Sequence, residues 1–307
     1  MITSSPAVRV LGSRPISSAV CTITANRLRA VAYHAVPDPV AFDRQLAEFV
    51  RQGFSTVTGA AVADALHGGA PLPTRALWIT FDDGDVSVVR AALPLLAERG
   101  MVATAFLCGG WIDSTVAPWW RVVEAAVEPG ALTATRMALK QADDRHRRDV
   151  VADMAEGLAV AGTPVVGRQW TAGDITAWTA AGNDIGNHSW DHPCLDRCDD
   201  AEQRRQVRLA HERLTELTGR HLDVFAWPNG DAAPAALDEL RALGYRLVAA
   251  CDHRLAARHP DPWQLSRLRL DTTVDVARTR AVLSGAHSGA FHVWRRIRGG
   301  GPSSAVT

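Results

Sequence analysis

The chain has 307 residues, 47% of them apolar, and carries 33 basic and 33 acidic side chains. This balance argues against a protein that binds nucleic acid or an anionic membrane through its overall charge. No apolar run reaches the roughly 18 to 20 residues of a membrane-spanning helix. Five cysteines are an odd number for a disulfide framework. We therefore expect a soluble, cytoplasmic protein, with a secreted or peripheral location as the alternative.

Short β-like runs alternate with longer amphipathic stretches along the chain. The predicted strands are residues 28–33, 76–81, 102–107, 184–186, 224–227, 246–250 and 265–270. The predicted helices between them are residues 40–51, 85–99, 174–181, 201–217 and 233–243. This alternation is typical of a parallel sheet wrapped by helices, so we predict one α/β domain over residues 28–294. Residues 1–27 are predicted to be an N-terminal extension, and residues 295–307 a flexible tail.

Residues 111–170 interrupt the alternation, with a charged helical stretch around 145–157 and no predicted strand. Loops at the carboxyl ends of strands carry the active site in barrel folds. We therefore predict a helical insertion that forms one wall of a cleft. A solvent-exposed helical decoration is the alternative interpretation.

Two adjacent carboxylates, Asp82 and Asp83, follow the β-favouring run Trp-Ile-Thr-Phe at residues 78–81. They lie at the end of a predicted strand, where Gly84 allows a sharp turn. A divalent cation bound to one carboxylate would relieve their repulsion and leave the other free to act as a base. The structural alternative is a plain strand-to-helix turn in which Asp83 or Asp85 caps the helix.

His188 and His192 stand four positions apart, directly after the predicted strand 184–186. On one helical turn both imidazoles would project to the same side and bind one metal ion. A parallel barrel would place them on the same rim as Asp82 and Asp83. Imidazole nitrogens and a carboxylate suit zinc, with cobalt, nickel or manganese as alternatives. Two unrelated surface histidines are the structural alternative.

These residues resemble the motifs of the polysaccharide deacetylases of the NodB-homology type, also called carbohydrate esterase family 4. Thr-Phe-Asp-Asp-Gly is complete at residues 80–84, and His-Ser-x-x-His-Pro is complete at residues 188–193. The resemblance extends over residues 32–285, and within the family the chain resembles the exopolysaccharide-associated subgroup. It implies an irregular (β/α)7-type barrel with a helical insertion. It also implies that Asp82 is the catalytic base and that Asp83, His188 and His192 hold the metal ion.

The third family motif departs from its usual form, since residues 225–230 read Phe-Ala-Trp-Pro-Asn-Gly. Ala226 stands where the family usually has an arginine that orients the base. Arg267 or Arg269, on the last predicted strand, is the candidate cationic partner of Asp82. Backbone N–H groups near Asn229 are expected to stabilise an oxyanion. The residues assigned to substrate or oxyanion binding are His34, Trp227, Pro228, Asn229 and Gly230.

The last family motif, Leu-x-His, has no clean match, so the general acid is left open between His287 and His253. Cys194 and Cys198 offer a rival interpretation, a closed structural zinc site shared with His192. Aromatic faces stack on sugar rings, and four tryptophans beside predicted site loops are candidates for this role. They are Trp111, Trp119, Trp190 and Trp227.

Together the motifs predict a metal-dependent hydrolase that removes N-acetyl groups from a carbohydrate or a glycan precursor. A deformylase or amidase with the same fold, acting on a sugar or a small amide, is the second hypothesis. A non-catalytic member that binds carbohydrate is the third. The expected partner is a carbohydrate substrate rather than nucleic acid, and the oligomeric state is left open.

Overall fold

The computed structural model describes residues 5–297. Eight parallel strands form one sheet in the order β7-β6-β5-β4-β3-β1-β8, with β2 beside β3. The strands are β1 Arg29–Tyr33, β2 Ser55–Thr56, β3 Ala76–Phe81, β4 Ala103–Leu107, β5 Asp184–Asn187, β6 Val224–Ala226, β7 Leu247–Ala249 and β8 Leu268–Arg269. The predicted α/β fold with a parallel sheet is therefore confirmed.

The segment 265–269 brings the two edges of the sheet together. Leu265 forms a parallel bridge with Ala249 of β7, and Leu268 pairs with Val31 of β1. The predicted strand 265–270 is thus divided between two partners, which leaves only two of its residues in regular ladder geometry. The sheet curls into an irregular barrel whose strands all end at the same rim.

Helices surround the sheet. Their bounds are α1 Pro6–Leu11, α2 Arg14–Ile23, α3 Pro39–Arg51, α4 Gly59–Leu66, α5 Leu93–Ala97, α6 Trp119–Ala126, α7 Leu132–Gln141, α8 Asp144–Val160, α9 Ala172–Ala180, α10 Asp200–Thr218, α11 Pro234–Ala242, α12 Val276–Ser284 and α13 Ala286–Ile297. Asp38, Asp143 and Asp199 cap α3, α8 and α10 by accepting hydrogen bonds from first-turn N–H groups. No helix in residues 5–297 combines the length and apolarity that crossing a lipid bilayer requires.

The barrel interior and the space under the outer helices hold separate apolar clusters. Trp78, Phe106 and Val224 belong to the inner cluster, to which α4 contributes Val62. Because side chains alternate along a strand, Trp78 and Asp82 project to the same face of β3 and of the residues that follow it. The sequence pattern of β3 therefore directs Asp82 into the mouth of the barrel.

The first two helices and the last helix of the described residues pack against α12. In the predicted extension, α1 and α2 lie against α12, and Arg280 Nε donates to Gly12 O at 2.6 Å. The predicted tail, residues 295–307, begins inside α13, which extends to Ile297. Residues 1–4 and 298–307 lie outside the described residues. The insertion predicted at residues 111–170 contains α6, α7 and α8.

Candidate active site

One carboxylate and two imidazoles converge at the mouth of the barrel. Asp83 Oδ1 lies 3.3 Å from Nε2 of His188 and 3.3 Å from Nε2 of His192. Asp83 Oδ1 is buried and has no hydrogen-bond partner within residues 5–297. Atoms that lie about 2.0 to 2.2 Å from one zinc ion are roughly 3.4 Å apart in tetrahedral geometry. The donor set and its spacing therefore fit a bound divalent cation.

The loop after β5 carries both histidines. The prediction that they share a helical turn is wrong, because residues 188–192 form an irregular loop. Ser189 and His192 adopt left-handed backbone conformations, with φ of 71° and 56°. The loop is held by Asn187 Oδ1, which accepts from Ser189 N at 2.8 Å, and by Ser189 Oγ, which accepts from His192 N at 3.1 Å. Local hydrogen bonds, rather than helical periodicity, bring the two rings together.

The surroundings of each imidazole favour metal binding. His188 Nδ1 lies 2.8 Å from Ala226 O, and a carbonyl only accepts, so the proton is on Nδ1 and the Nε2 lone pair faces Asp83. Burial lowers the pKa of His192, which keeps this ring neutral. Burial also opposes a charge on His188, yet the neighbouring carboxylates of Asp83 and Asp82 raise its pKa. The carboxylates of Asp82 and Asp83 thus favour a positive charge beside His188.

Asp82 forms a buried ion pair with Arg267. The guanidinium donates to Asp82 Oδ1 at 2.7 Å and to Oδ2 at 2.8 Å, and it also donates to Thr80 Oγ1 at 2.8 Å. Burial would raise the pKa of Asp82, but the charge of Arg267 outweighs this and holds that pKa below its ordinary value. Asp82 is therefore ionised and able to accept a proton. Arg269 instead donates to Cys251 O at 2.9 Å and lines the cavity.

A cavity of about 360 Å³ opens onto this group. The insertion supplies one wall, through Trp119, Trp120, Arg136 and Lys140. The remaining lining residues come from the rim of the barrel and are His34, Asp82, Asp83, His188, His192, Trp227, Asn229, Gly230, Cys251 and Arg269.

The turn after β6 reaches the cavity through three of its predicted residues. Trp227, Asn229 and Gly230 line it, whereas Pro228 is buried and does not. Trp227 Nε1 is buried with no hydrogen-bond partner in the described part of the chain. Gly230 N donates to Trp227 O at 3.1 Å, so this N–H already has an acceptor. The indole N–H is therefore the better candidate donor to a substrate oxygen.

His253 and His287 are not brought to the cavity. His253 Nε2 lies 3.0 Å from His287 Nδ1, and His253 Nδ1 accepts from Arg269 N at 3.0 Å. Phe291 packs edge-on against His253, with ring centroids 5.5 Å apart. The two histidines thus hydrogen-bond to each other beside α13, and neither is placed to protonate a leaving group. The geometry does not support the prediction that one of them is the general acid.

The rival zinc site at Cys194 and Cys198 does not form. The potential metal-binding group found within residues 5–297 consists of Asp83, His188 and His192. Cys194 Sγ accepts from Asn229 Nδ2 at 3.3 Å, and Cys198 Sγ donates to Cys194 O at 3.5 Å. Burial raises the pKa of both thiols, which disfavours thiolate ligands.

Four cavity residues were not identified from the sequence: Trp120, Arg136, Lys140 and Cys251. The ring of Trp120 contacts His192 edge-on, with centroids 4.7 Å apart. Arg136 and Lys140 are four residues apart, a spacing that places both on one face of a helix. That spacing was the available signal, but no motif indicated that α7 faces the site. Of the four predicted tryptophans, Trp119 and Trp227 line the cavity.

Comparison with known proteins agrees with the family that the sequence motifs resemble. Residues 69–248 match the family model described as polysaccharide deacetylase. The chain is 26% identical over 254 residues to the poly-beta-1,6-N-acetyl-D-glucosamine N-deacetylase of Escherichia coli K12, a match that covers 75% of this chain and 35% of that protein. A second match, from Escherichia coli O157:H7, has the same identity and coverage. The chain thus spans about a third of the length of these curated relatives.

Solved structures share the fold. The Streptococcus pyogenes deacetylase PplD, in complex with acetate, superimposes with a TM-score of 0.61 at 16% identity, covering 84% of this chain and 98% of that one. IcaB from Ammonifex degensii superimposes with a TM-score of 0.59 at 21% identity, covering 84% of this chain and 97% of that one. These similarities confirm the barrel fold that the sequence motifs imply. The family model matches more than half of the residues of this chain, so the chain belongs to the polysaccharide deacetylase family.

Proposed function

We propose that this chain is a metal-dependent N-deacetylase that acts on an N-acetylated carbohydrate. The observation that carries the proposal is the convergence of Asp83, His188 and His192 beside the ionised, arginine-paired Asp82. The curated relatives, whose name describes an N-deacetylase of poly-N-acetylglucosamine, support the acetamide as the bond to be cleaved. Two tryptophans in the cavity wall, Trp119 and Trp120, offer faces on which sugar rings stack.

The metal ion fits the three-residue site by its donor set, for which zinc is the first expectation. When bound, such an ion polarises the acetyl carbonyl and lowers the pKa of a water molecule. Asp82 takes the proton from the attacking water, because Arg267 keeps its carboxylate ionised and fixes its two oxygens. His188 is held in one tautomer by Ala226 O, so its Nε2 stays available as a ligand.

Stabilisation of the oxyanion is assigned to the turn after β6. Trp227 lines the cavity, and its Nε1–H is buried and has no acceptor within residues 5–297. A donor that is already desolvated before substrate arrives needs little reorganisation during the reaction. We therefore expect Trp227→Phe to lower turnover while leaving metal binding unchanged.

Acetate release tests the proposal. The metal-saturated protein is incubated with β-1,6-linked N-acetylglucosamine oligomers, and acetate and formate are both quantified. We expect acetate release that is lost in Asp82→Asn and retained in the control Asp85→Asn, since Asp85 does not line the cavity. Formate release from formylated analogues without acetate release would favour the deformylase hypothesis. Sugar binding with neither product would favour a non-catalytic member.

A further inference from the structure

Basic side chains form part of the cavity wall beyond the metal-binding residues. Arg136 and Lys140 extend from one face of α7, and Arg269 extends from the end of β8. The acidic residues that line the same cavity are Asp82, which is in its ion pair, and Asp83, which faces the two imidazoles. The rest of the wall therefore carries a net positive charge.

For Arg136 and Lys140, the described part of the protein supplies little compensating charge. Arg136 Nη2 lies 3.6 Å from Glu124 Oε2, while Arg136 Nε is buried without a hydrogen-bond partner in the described chain. Among residues 5–297, no carboxylate oxygen lies within 4.0 Å of the Lys140 ammonium. Asp231 acts on Lys140 at longer range and does not line the cavity. Like charges held together in a partly buried wall repel each other unless an anion binds.

The basic residues and the metal ligands are neighbours. Trp120 contacts the ring of His192 with its own ring, and its carbonyl oxygen accepts from Arg136 Nη2 at 3.4 Å. The cavity of about 360 Å³ is near the lower end of the range of ligand pockets, roughly 300 to 1,000 Å³. Because His192 and Arg136 line one cavity, a ligand whose acetamide reaches His192 can present a second substituent to Arg136.

We propose that Arg136, Lys140 and Arg269 form a subsite for an anionic group, a carboxylate or a phosphate, carried by the N-acetylated substrate. Guanidinium groups match the paired oxygens of both anions, and an ammonium adds a point charge. The inference rests on the proposed deacetylase function, because it specifies the substrate class of the same cavity. An acidic glycan or a phosphorylated sugar would then bind more tightly than a neutral one.

Binding measurements test the subsite independently of turnover. Tryptophan fluorescence, reported by Trp119, Trp120 and Trp227 in the cavity wall, is titrated with three probes. The probes are N,N′-diacetylchitobiose, which is neutral, N-acetylglucosamine 1-phosphate, and the disaccharide of glucuronic acid and N-acetylglucosamine. We expect at least one anionic probe to bind about tenfold more tightly than the neutral one at low ionic strength, with a preference that salt reduces.

Variants assign the preference to the named residues. Lys140→Gln and Arg136→Gln are each expected to reduce the anionic preference about threefold to tenfold without changing the affinity for diacetylchitobiose. The matched control is Arg44→Gln, which removes an exposed arginine on α3 outside the cavity. Titrations are repeated after treatment with a chelator, because an anion could otherwise bind to the metal ion.

The outcomes separate the alternatives. A phosphate preference assigns a phosphorylated substrate, and a carboxylate preference assigns a uronic acid. Equal affinity for all three probes, or a preference that both variants leave intact, would overturn the subsite. A preference that disappears with the chelator would also overturn it, since the metal ion would then be the anion site. Failure to release acetate from any probe would contradict the proposed function, whereas the affinity ratios would still decide the subsite.

Discussion

Removal of the cationic partner of Asp82 should destabilise the barrel strongly. The side chains of Arg267 and Asp82 are 0% and 3% exposed, so solvent screens their charges very little. Arg267→Met would leave the Asp82 carboxylate buried and unpaired and would remove the hydrogen bond to Thr80 Oγ1. Breaking one side of a buried ion pair costs about 3 to 5 kcal/mol of unfolding free energy. At roughly 2 °C per kcal/mol, the melting temperature should fall by about 6 to 10 °C.

A double-mutant cycle measured by urea unfolding isolates the ion pair from the packing lost with the arginine side chain. Asp82→Asn combined with Arg267→Met should cost less than the sum of the two single variants, with a coupling of about 2 kcal/mol or more. Arg269→Met is the matched control, since this arginine is only half-buried and is expected to show weak coupling to Asp82. Free energies that add to within about 0.5 kcal/mol would refute the assignment of Arg267 as the partner of Asp82.

Three further predictions follow from other parts of the molecule. Burial, with the charges of His287 and Arg269, lowers the pKa of His253 to about 3. Its contribution to stability is present above an ordinary pKa of about 6.5 and is lost as pH falls towards the folded value, by up to about 1.4 kcal/mol per pH unit. His253→Gln should flatten this slope in urea titrations between pH 6.5 and 4, and an unchanged slope would contradict the reasoning. Arg148 Nη1 donates at 2.7 Å to the carboxylate of Asp191, the residue before His192. Arg148→Ala should therefore weaken metal affinity about tenfold in calorimetric titrations. Unaltered affinity would argue against this coupling. A β-carbon at Gly186 would lie 2.4 Å from Phe106 Cδ1. Gly186→Ala should therefore lower the unfolding free energy by about 1 to 3 kcal/mol. Wild-type stability in this variant would show that the strands move apart freely.

Strand ends were the most predictable part of the site. The alternation that directs Trp78 and Asp82 to one face is a property of any strand, and the carboxyl ends of parallel strands share one rim. These two rules predicted that Asp82 and Asp83 share a rim with His188 and His192, and the family resemblance singled out Asp83 as the partner of the two histidines. They also made Arg267, on the last predicted strand, a candidate partner for Asp82, as the structure shows.

Loop geometry was not predictable in the same way. The conformation of residues 188–192 depends on Gln206 of α10, whose Oε1 accepts from Trp190 N at 3.0 Å and from Asp191 N at 3.1 Å. A side chain distant in sequence therefore acts together with the local hydrogen bonds of Asn187 and Ser189 to hold this segment as a loop. The contribution of Lys140 to the cavity was likewise hidden, because it depends on how the insertion packs rather than on a local pattern.

Paired measurements of metal content and acetate release test the assignment of a base and a metal site most directly. Purified wild-type protein, Asp82→Asn and His188→Ala are loaded with zinc, desalted and compared by elemental mass spectrometry and by acetate release from N-acetylglucosamine oligomers. We expect Asp82→Asn to keep stoichiometric metal and to lose turnover by about 100-fold or more, because its general base is removed. We expect His188→Ala to lose both. Near-wild-type turnover in Asp82→Asn, or stoichiometric metal in His188→Ala, would contradict these assignments.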